Sequence, residues 1–117
     1  MKIIKSENKV WAEKQGYDKK ILLDGENLGE FSSLMQEIRI KSGETAKKHY
    51  HKKQTELFYF PNKEGYWIVN GEKFTPGIGD LLIIEPLDKH TVVNNGPKDY
   101  VYLAIKFNYD SNDSYWT

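Results

Sequence analysis

Cysteine is absent from this chain of 117 residues, which removes disulfides, thiolate catalysis and thiolate metal ligation together. Imidazole, carboxylate and water remain as the available ligand set. Arginine is reduced to Arg39, so bidentate phosphate forks cannot be numerous and anion recognition has to rest mostly on lysine point charges. The formal net charge is zero, which gives no electrostatic reason to expect nucleic acid or an anionic membrane as partner. No apolar run approaches membrane length, and residues 1–10 interleave Lys2, Lys5, Glu7 and Lys9 with few apolar side chains, unlike a signal peptide. A soluble, cytoplasmic protein is expected. Serine-histidine-aspartate arrangements, glycine-rich phosphate loops and nucleophile signatures are also missing, so covalent catalysis has no candidate.

What the sequence does have is strand residues. Val, Ile, Tyr, Phe and Trp recur in short runs punctuated by Gly, Asn, Asp and Pro, and no long amphipathic helix is visible. The length suits one domain over residues 1–117 with one core. Strands are expected over 19–24, 31–41, 45–52, 55–60, 66–69, 72–74, 80–85, 90–93 and 100–107, with 45–52 and 55–60 pairing as neighbours. In the second of these, Leu34, Gln36, Ile38 and Ile40 share a face opposite Met35, Glu37 and Arg39. Asn70-Gly71 suits the left-handed torsions of a type I′ hairpin. Regular short strands without interposed helices predict an all-β antiparallel sandwich or barrel. Phe58, Phe60, Val101, Leu103, Ile105 and Phe107 are expected to fill it. The polar tail from 108 carries Tyr109, Tyr115 and Trp116, which either fold back over the barrel or pack on a second subunit, against the default of a frayed end.

Alternation along a strand points His49 and His51 the same way and turns Tyr50 aside. Such a pair can also line a polar groove that holds no ion. Glu56 opens the following strand, and His90, with Asn94 behind it, arrives from a strand distant in sequence. Three nitrogens and one oxygen meeting at a transition metal leave two positions of an octahedral ion open to substrate or water. By the same parity Lys47 shares the face of the histidines, where a cation favours an anionic substrate; the other reading of Lys47 is a solvated rim. Arg39 is a second candidate for substrate binding, on a run that reads equally well as a charged outer face.

The spacing resembles the cupin superfamily. Its first motif is matched by Gly43, His49, His51 and Glu56, and its second by Gly79, His90 and Asn94. Two departures fall in turns. The closing glycine of the first motif is expected at Lys63 but occurs at Gly65, and the second motif expects proline at Glu85 and glycine at Leu87, whereas the proline is Pro86. The resemblance implies a jelly-roll β-barrel with motifs at about 43–65 and 79–94. It also implies one divalent metal (Mn, Fe, Zn, Ni, Co or Cu) held by His49, His51, Glu56 and His90. Short cupins of this kind are similar to those grouped with mannose-6-phosphate isomerase. That implies Lewis-acid chemistry of isomerase, epimerase or lyase type on a sugar, sugar phosphate or small polar acid. An iron-dependent dioxygenase and a non-enzymatic sugar or effector binding module are the alternatives. A homodimer is expected from the family and from the need to cover sheet edges.

Overall fold

A computed structural model describes residues 1–117. After a short 3-10 turn at Ser6–Asn8, the chain forms β1 (Ala12–Glu13), β2 (Asp18–Leu23), α1 (Gly25–Leu28), β3 (Leu34–Ile40), β4 (Thr45–Tyr50) and β5 (Thr55–Tyr59). It continues through β6 (Tyr66–Val69), β7 (Glu72–Phe74), β8 (Leu81–Ile84), β9 (His90–Val93), β10 (Tyr100–Phe107) and β11 (Tyr115–Trp116). All ladders are antiparallel and belong to two sheets, ordered β1-β2-β3-β10-β5-β8 and β11-β4-β9-β6-β7. The sheets share no ladder, so the jelly roll is an open, flattened barrel. Between them Ile38, Ile40, Phe58, Phe60, Trp67 and Tyr100 anchor one apolar cluster.

Most expected strands form with shortened ends, and the inward face of β3 is the expected one: Leu34, Gln36, Ile38 and Ile40 are buried. Two expectations are corrected. The segments holding β4 and β5 do not pair; β4 lies between β11 and β9, and β5 between β10 and β8. Residues 51–54 carry the chain from one sheet to the other, and the Asp113 carboxylate accepts from the backbone N–H groups of Lys52, Lys53 and Gln54 at 2.9, 2.8 and 2.9 Å. Those donors, freed from any ladder, are satisfied by one side chain.

The second correction concerns β10. Tyr100, Tyr102 and Ala104 are its buried residues, while Val101, Leu103 and Ile105 lie on the outer side and Phe107 is exposed. The apolar alternation therefore marks the outside of this strand. On its inner row Tyr100 and Ala104 join the apolar cluster, while Tyr102 also borders the cavity described below.

At the β6–β7 hairpin, Asn70 and Gly71 have φ of 49° and 85°, the left-handed pair of a type I′ turn. The Asn70 side chain then reaches over: Oδ1 accepts from Lys89 N–H at 2.9 Å and Nδ2 donates to Asp88 at 2.8 Å. This fixes the loop that delivers His90. Leu87, where the second motif has glycine, keeps the left-handed backbone at φ 76°, and its N–H donates to the His51 carbonyl at 2.7 Å. Gly65 does the work of the displaced glycine by close approach, since a Cβ there would meet Val93 O at 2.6 Å.

Candidate metal centre

Four side chains from both sheets converge. β4 contains a bulge: Ala46 faces Val92 and His49 faces His90, three steps on one strand against two on its partner. The extra residue turns His49 inward and leaves Lys47 and Lys48 exposed. His51 follows two residues later on the same side, whereas Tyr50 turns out and stacks on Tyr115 at 5.4 Å. Glu56 on β5 sits opposite Ile84 and Lys106, and His90 on β9 opposite His49. One ligand atom from each of His49, His51, Glu56 and His90 lies within 4.8 Å of every other, so the group could hold a metal ion.

The backbone sets the imidazoles. Each Nδ1 meets a carbonyl: His49 with Lys47 O at 2.9 Å, His51 with Asp113 O at 2.6 Å and His90 with Asp88 O at 3.0 Å. A carbonyl only accepts, so each Nδ1 carries the hydrogen and each Nε2 keeps a lone pair. His51 Nε2 and Glu56 Oε1 then face each other at 2.6 Å, both buried and without a hydrogen-bond partner. His90 Nε2 is 3.6 Å from the same oxygen. One proton could reconcile one such pair; a cation shared by all four atoms reconciles the whole group, and the nitrogen and oxygen donor set fits a divalent transition metal.

Protonation favours the same arrangement. Burial, reinforced by the neighbouring His90, pushes the His49 imidazole down to about 4, so it is neutral with its lone pair available at neutral pH. Burial favours the neutral form of Glu56, whereas the nearby charge of Lys106 favours the carboxylate.

The C-terminal segment folds back over this end. β11 pairs with β4, placing Trp116 opposite His49 with ring centroids 4.8 Å apart, and Thr117 N–H donates to Lys48 O at 3.2 Å. Asp113 acts twice on the ligands: its carbonyl orients His51, and its carboxylate ties down the segment between His51 and Glu56. Burial acts to raise the Asp113 carboxyl, but the three backbone donors prevail and hold it below the ordinary carboxylate value. Asn94 serves the frame. Its Nδ2 donates to Ile40 O and Lys98 O, both at 2.8 Å, and its Oδ1 accepts from Gly96 N–H at 3.0 Å.

A cavity of about 240 Å³ opens beside the four ligands. Two residues expected there are elsewhere. Lys47 is outside the lining because the bulge reverses its parity. Arg39 lies on the opposite face of β3, where Nε donates to Asp18 Oδ2 at 2.9 Å and the guanidinium covers the Trp11 ring at 4.2 Å. In their place the lining has Lys14, Tyr17, Lys19, Gln36, Tyr102 and Lys106. Alternation along β10 places Lys106 with Tyr102; nothing local in the sequence marks Lys14 or Lys19. Of the remaining tyrosines, Tyr59 is exposed, and Tyr66 and Tyr100 lie outside the lining. Burial, with the nearby Tyr100 and Glu56, pushes the Tyr102 phenol well above its ordinary value, so it stays a hydroxyl.

The chain matches the family described as Cupin domain over residues 36–106, more than half its length. A Thermotoga maritima oxalate-binding protein is 25% identical over 84 residues, covering 72% of this chain and 69% of the relative. Among solved structures, a predicted oxalate decarboxylase from Thermotoga maritima has a TM-score of 0.82 at 19% identity, covering 92% of this chain and 100% of that one. A sugar phosphate isomerase of the cupin superfamily from Silicibacter pomeroyi has a TM-score of 0.70 at 18% identity, covering 87% and 66%. A Streptomyces protein solved with uridine has a TM-score of 0.78 at 14% identity, covering 98% and 89%. No helix is long and apolar enough to cross a membrane. With a ligand group contributed by both sheets and a family match across the middle of the chain, the protein belongs to the cupins.

Proposed function

We propose that residues 1–117 form one cupin domain that binds a divalent transition metal through His49, His51, Glu56 and His90 and acts as a metal-dependent enzyme on a sugar, sugar phosphate or small polar acid. Isomerase, epimerase or lyase chemistry is the type favoured. The observation that carries this reading is the convergence of four ligand atoms within 4.8 Å, with all three imidazoles held in the tautomer a metal requires. A bound ion would supply Lewis acidity, polarising a substrate oxygen. The chain's own residues would bind and orient. The walls formed by Phe58, Trp67 and Val92 limit water, and the Tyr102 hydroxyl can hold a hydrogen bond to a developing negative oxygen. Relatives described as oxalate-binding and as a sugar phosphate isomerase support a small oxygen-rich substrate.

Elemental analysis of protein purified without added metal, alongside His51→Ala, tests the metal reading. About one ion per chain is expected in the wild type, with most of it lost from a variant whose far-UV circular dichroism is unchanged. Equal occupancy in both proteins contradicts it. A homodimer is part of the same proposal. The outer face of the larger sheet carries an apolar row of Met35, Ile105, Leu57 and Ile83 across four strands, beside a second row of Leu103, Tyr59 and Leu81. Leu81 and Ile83 are exposed in the single chain, and a second copy would cover them. Light scattering at twice the chain mass is expected, falling to the monomer mass for Ile83→Lys.

A further inference from the structure

The lining of the metal cavity is unbalanced in charge. Beyond the four candidate ligands it holds three cations, Lys14, Lys19 and Lys106, and one carboxylate, Asp110. Asp110 is engaged by Lys53 at 3.6 Å, and none of the three lysines has an ion-pair partner. Lys106 shares an inward row with Glu56 on β10 and β5, the next row holds Ala104 and Gln36, and Lys19 shares the row beyond that with Ile38 and Tyr102. Lys14 stands at the rim, on the turn whose backbone N–H donates to Tyr17 O at 2.8 Å. The lysines are near enough to act on one another: burial and the charges of Lys106 and Lys14 push Lys19 below its ordinary value.

A polar atom in the same cavity also lacks a partner. Gln36 lines the wall at 3% exposure, and its Oε1 is buried with no hydrogen bond. An unpaired buried acceptor is costly and calls for a donor. A hydroxyl group supplies one. The volume, about 240 Å³, lies below the range of drug-sized pockets and limits the occupant to a small metabolite.

We propose that the cavity takes a small hydroxylated anion, its charged end held by Lys19 and Lys106 with Lys14 at the entrance, and its hydroxyl-bearing part turned toward Gln36 and the four-ligand centre. This rests on the function proposed above for the placement of the reacting end, and not for the charge selection. The anionic group is a carboxylate or a phosphate. With Arg39 on the far side of the sheet, recognition depends on lysine charge and carries no bidentate fork.

Calorimetric titration with glucose, glucuronate and glucose 6-phosphate isolates the charged end, since the three differ at a single carbon. At least one of the two anions is expected to bind about tenfold or more tightly than glucose, as hydrogen bonds to a charged group allow. The better of the two identifies the source. Lys19→Met and Lys106→Met should each remove most of that preference while leaving thermal unfolding unchanged. Glucose binding as tightly as both anions, neither anion binding, or a preference that survives in the double variant each overturns the proposal. Metal content is measured on the same samples. Metal retained without anion preference rejects the lysine site alone, and anion preference without metal rejects the metal reading alone.

Discussion

One half of the space between the sheets is filled and the other is hollow, although the same strands supply both. In the filled half Phe60, Tyr100 and Ile40 are fully buried, and Phe60 lies within 5.7 Å of Trp67 and 5.6 Å of Tyr102, ring to ring. In the hollow half His49, His51, Glu56 and His90 occupy equivalent inward positions beside the cavity. The filled half is stabilised by apolar area and dispersion, which need no particular partner. In the hollow half each imidazole depends on a named backbone carbonyl, so its orientation is specified, while buried polar atoms such as Glu56 Oε1 lack a hydrogen-bond partner and add little to folding without a cation. Stability is concentrated in one half and chemistry in the other.

Substitutions can separate the two. Phe60→Ala should cost about 3–5 kcal/mol of unfolding free energy, read by urea denaturation. If the metal-loaded variant loses less than about 1 kcal/mol, the filled half does not carry the stability. Asp113→Ala links the halves. Removing a carboxylate that accepts three backbone hydrogen bonds should lower stability by about 2 kcal/mol or more. It should also weaken metal affinity by roughly 10–100-fold through misplacement of His51. A stability loss with unchanged metal affinity would show that Asp113 serves the frame only. Leu87→Gly relieves a left-handed backbone at an exposed side chain and should raise stability by about 1 kcal/mol in thermal unfolding. The smallest effect is expected for Lys47→Ala, within about 0.5 kcal/mol and with no change in metal content.

These variants also mark where the sequence could be read and where it could not. His49 and His51 were legible because a spacing of two in a strand is a local fact, and the one-residue bulge before them leaves their mutual parity intact. The same bulge hides the position of Lys47, since parity counted backward across it fails. Along β10 the usual rule of apolar residues inside misleads, because the outer face of the larger sheet is itself apolar and the inner row carries Tyr100, Tyr102 and Lys106. Lys14 and Lys19 reach the cavity only through the way β1 and β2 extend the larger sheet. Asp113, within the polar tail whose aromatic residues alone suggested that it folds back, shows its role only through backbone donors sixty positions earlier in the chain.

The central claim is that three imidazoles and one carboxylate share a single ion. X-ray absorption at the zinc edge, on protein stripped of metal and reloaded with one equivalent, tests it most directly. Three histidine nitrogens at roughly 2.0–2.1 Å, with the multiple scattering of imidazole rings, and an oxygen shell that changes in Glu56→Gln are predicted. A shell of oxygen atoms carrying the signature of one imidazole or none would contradict it.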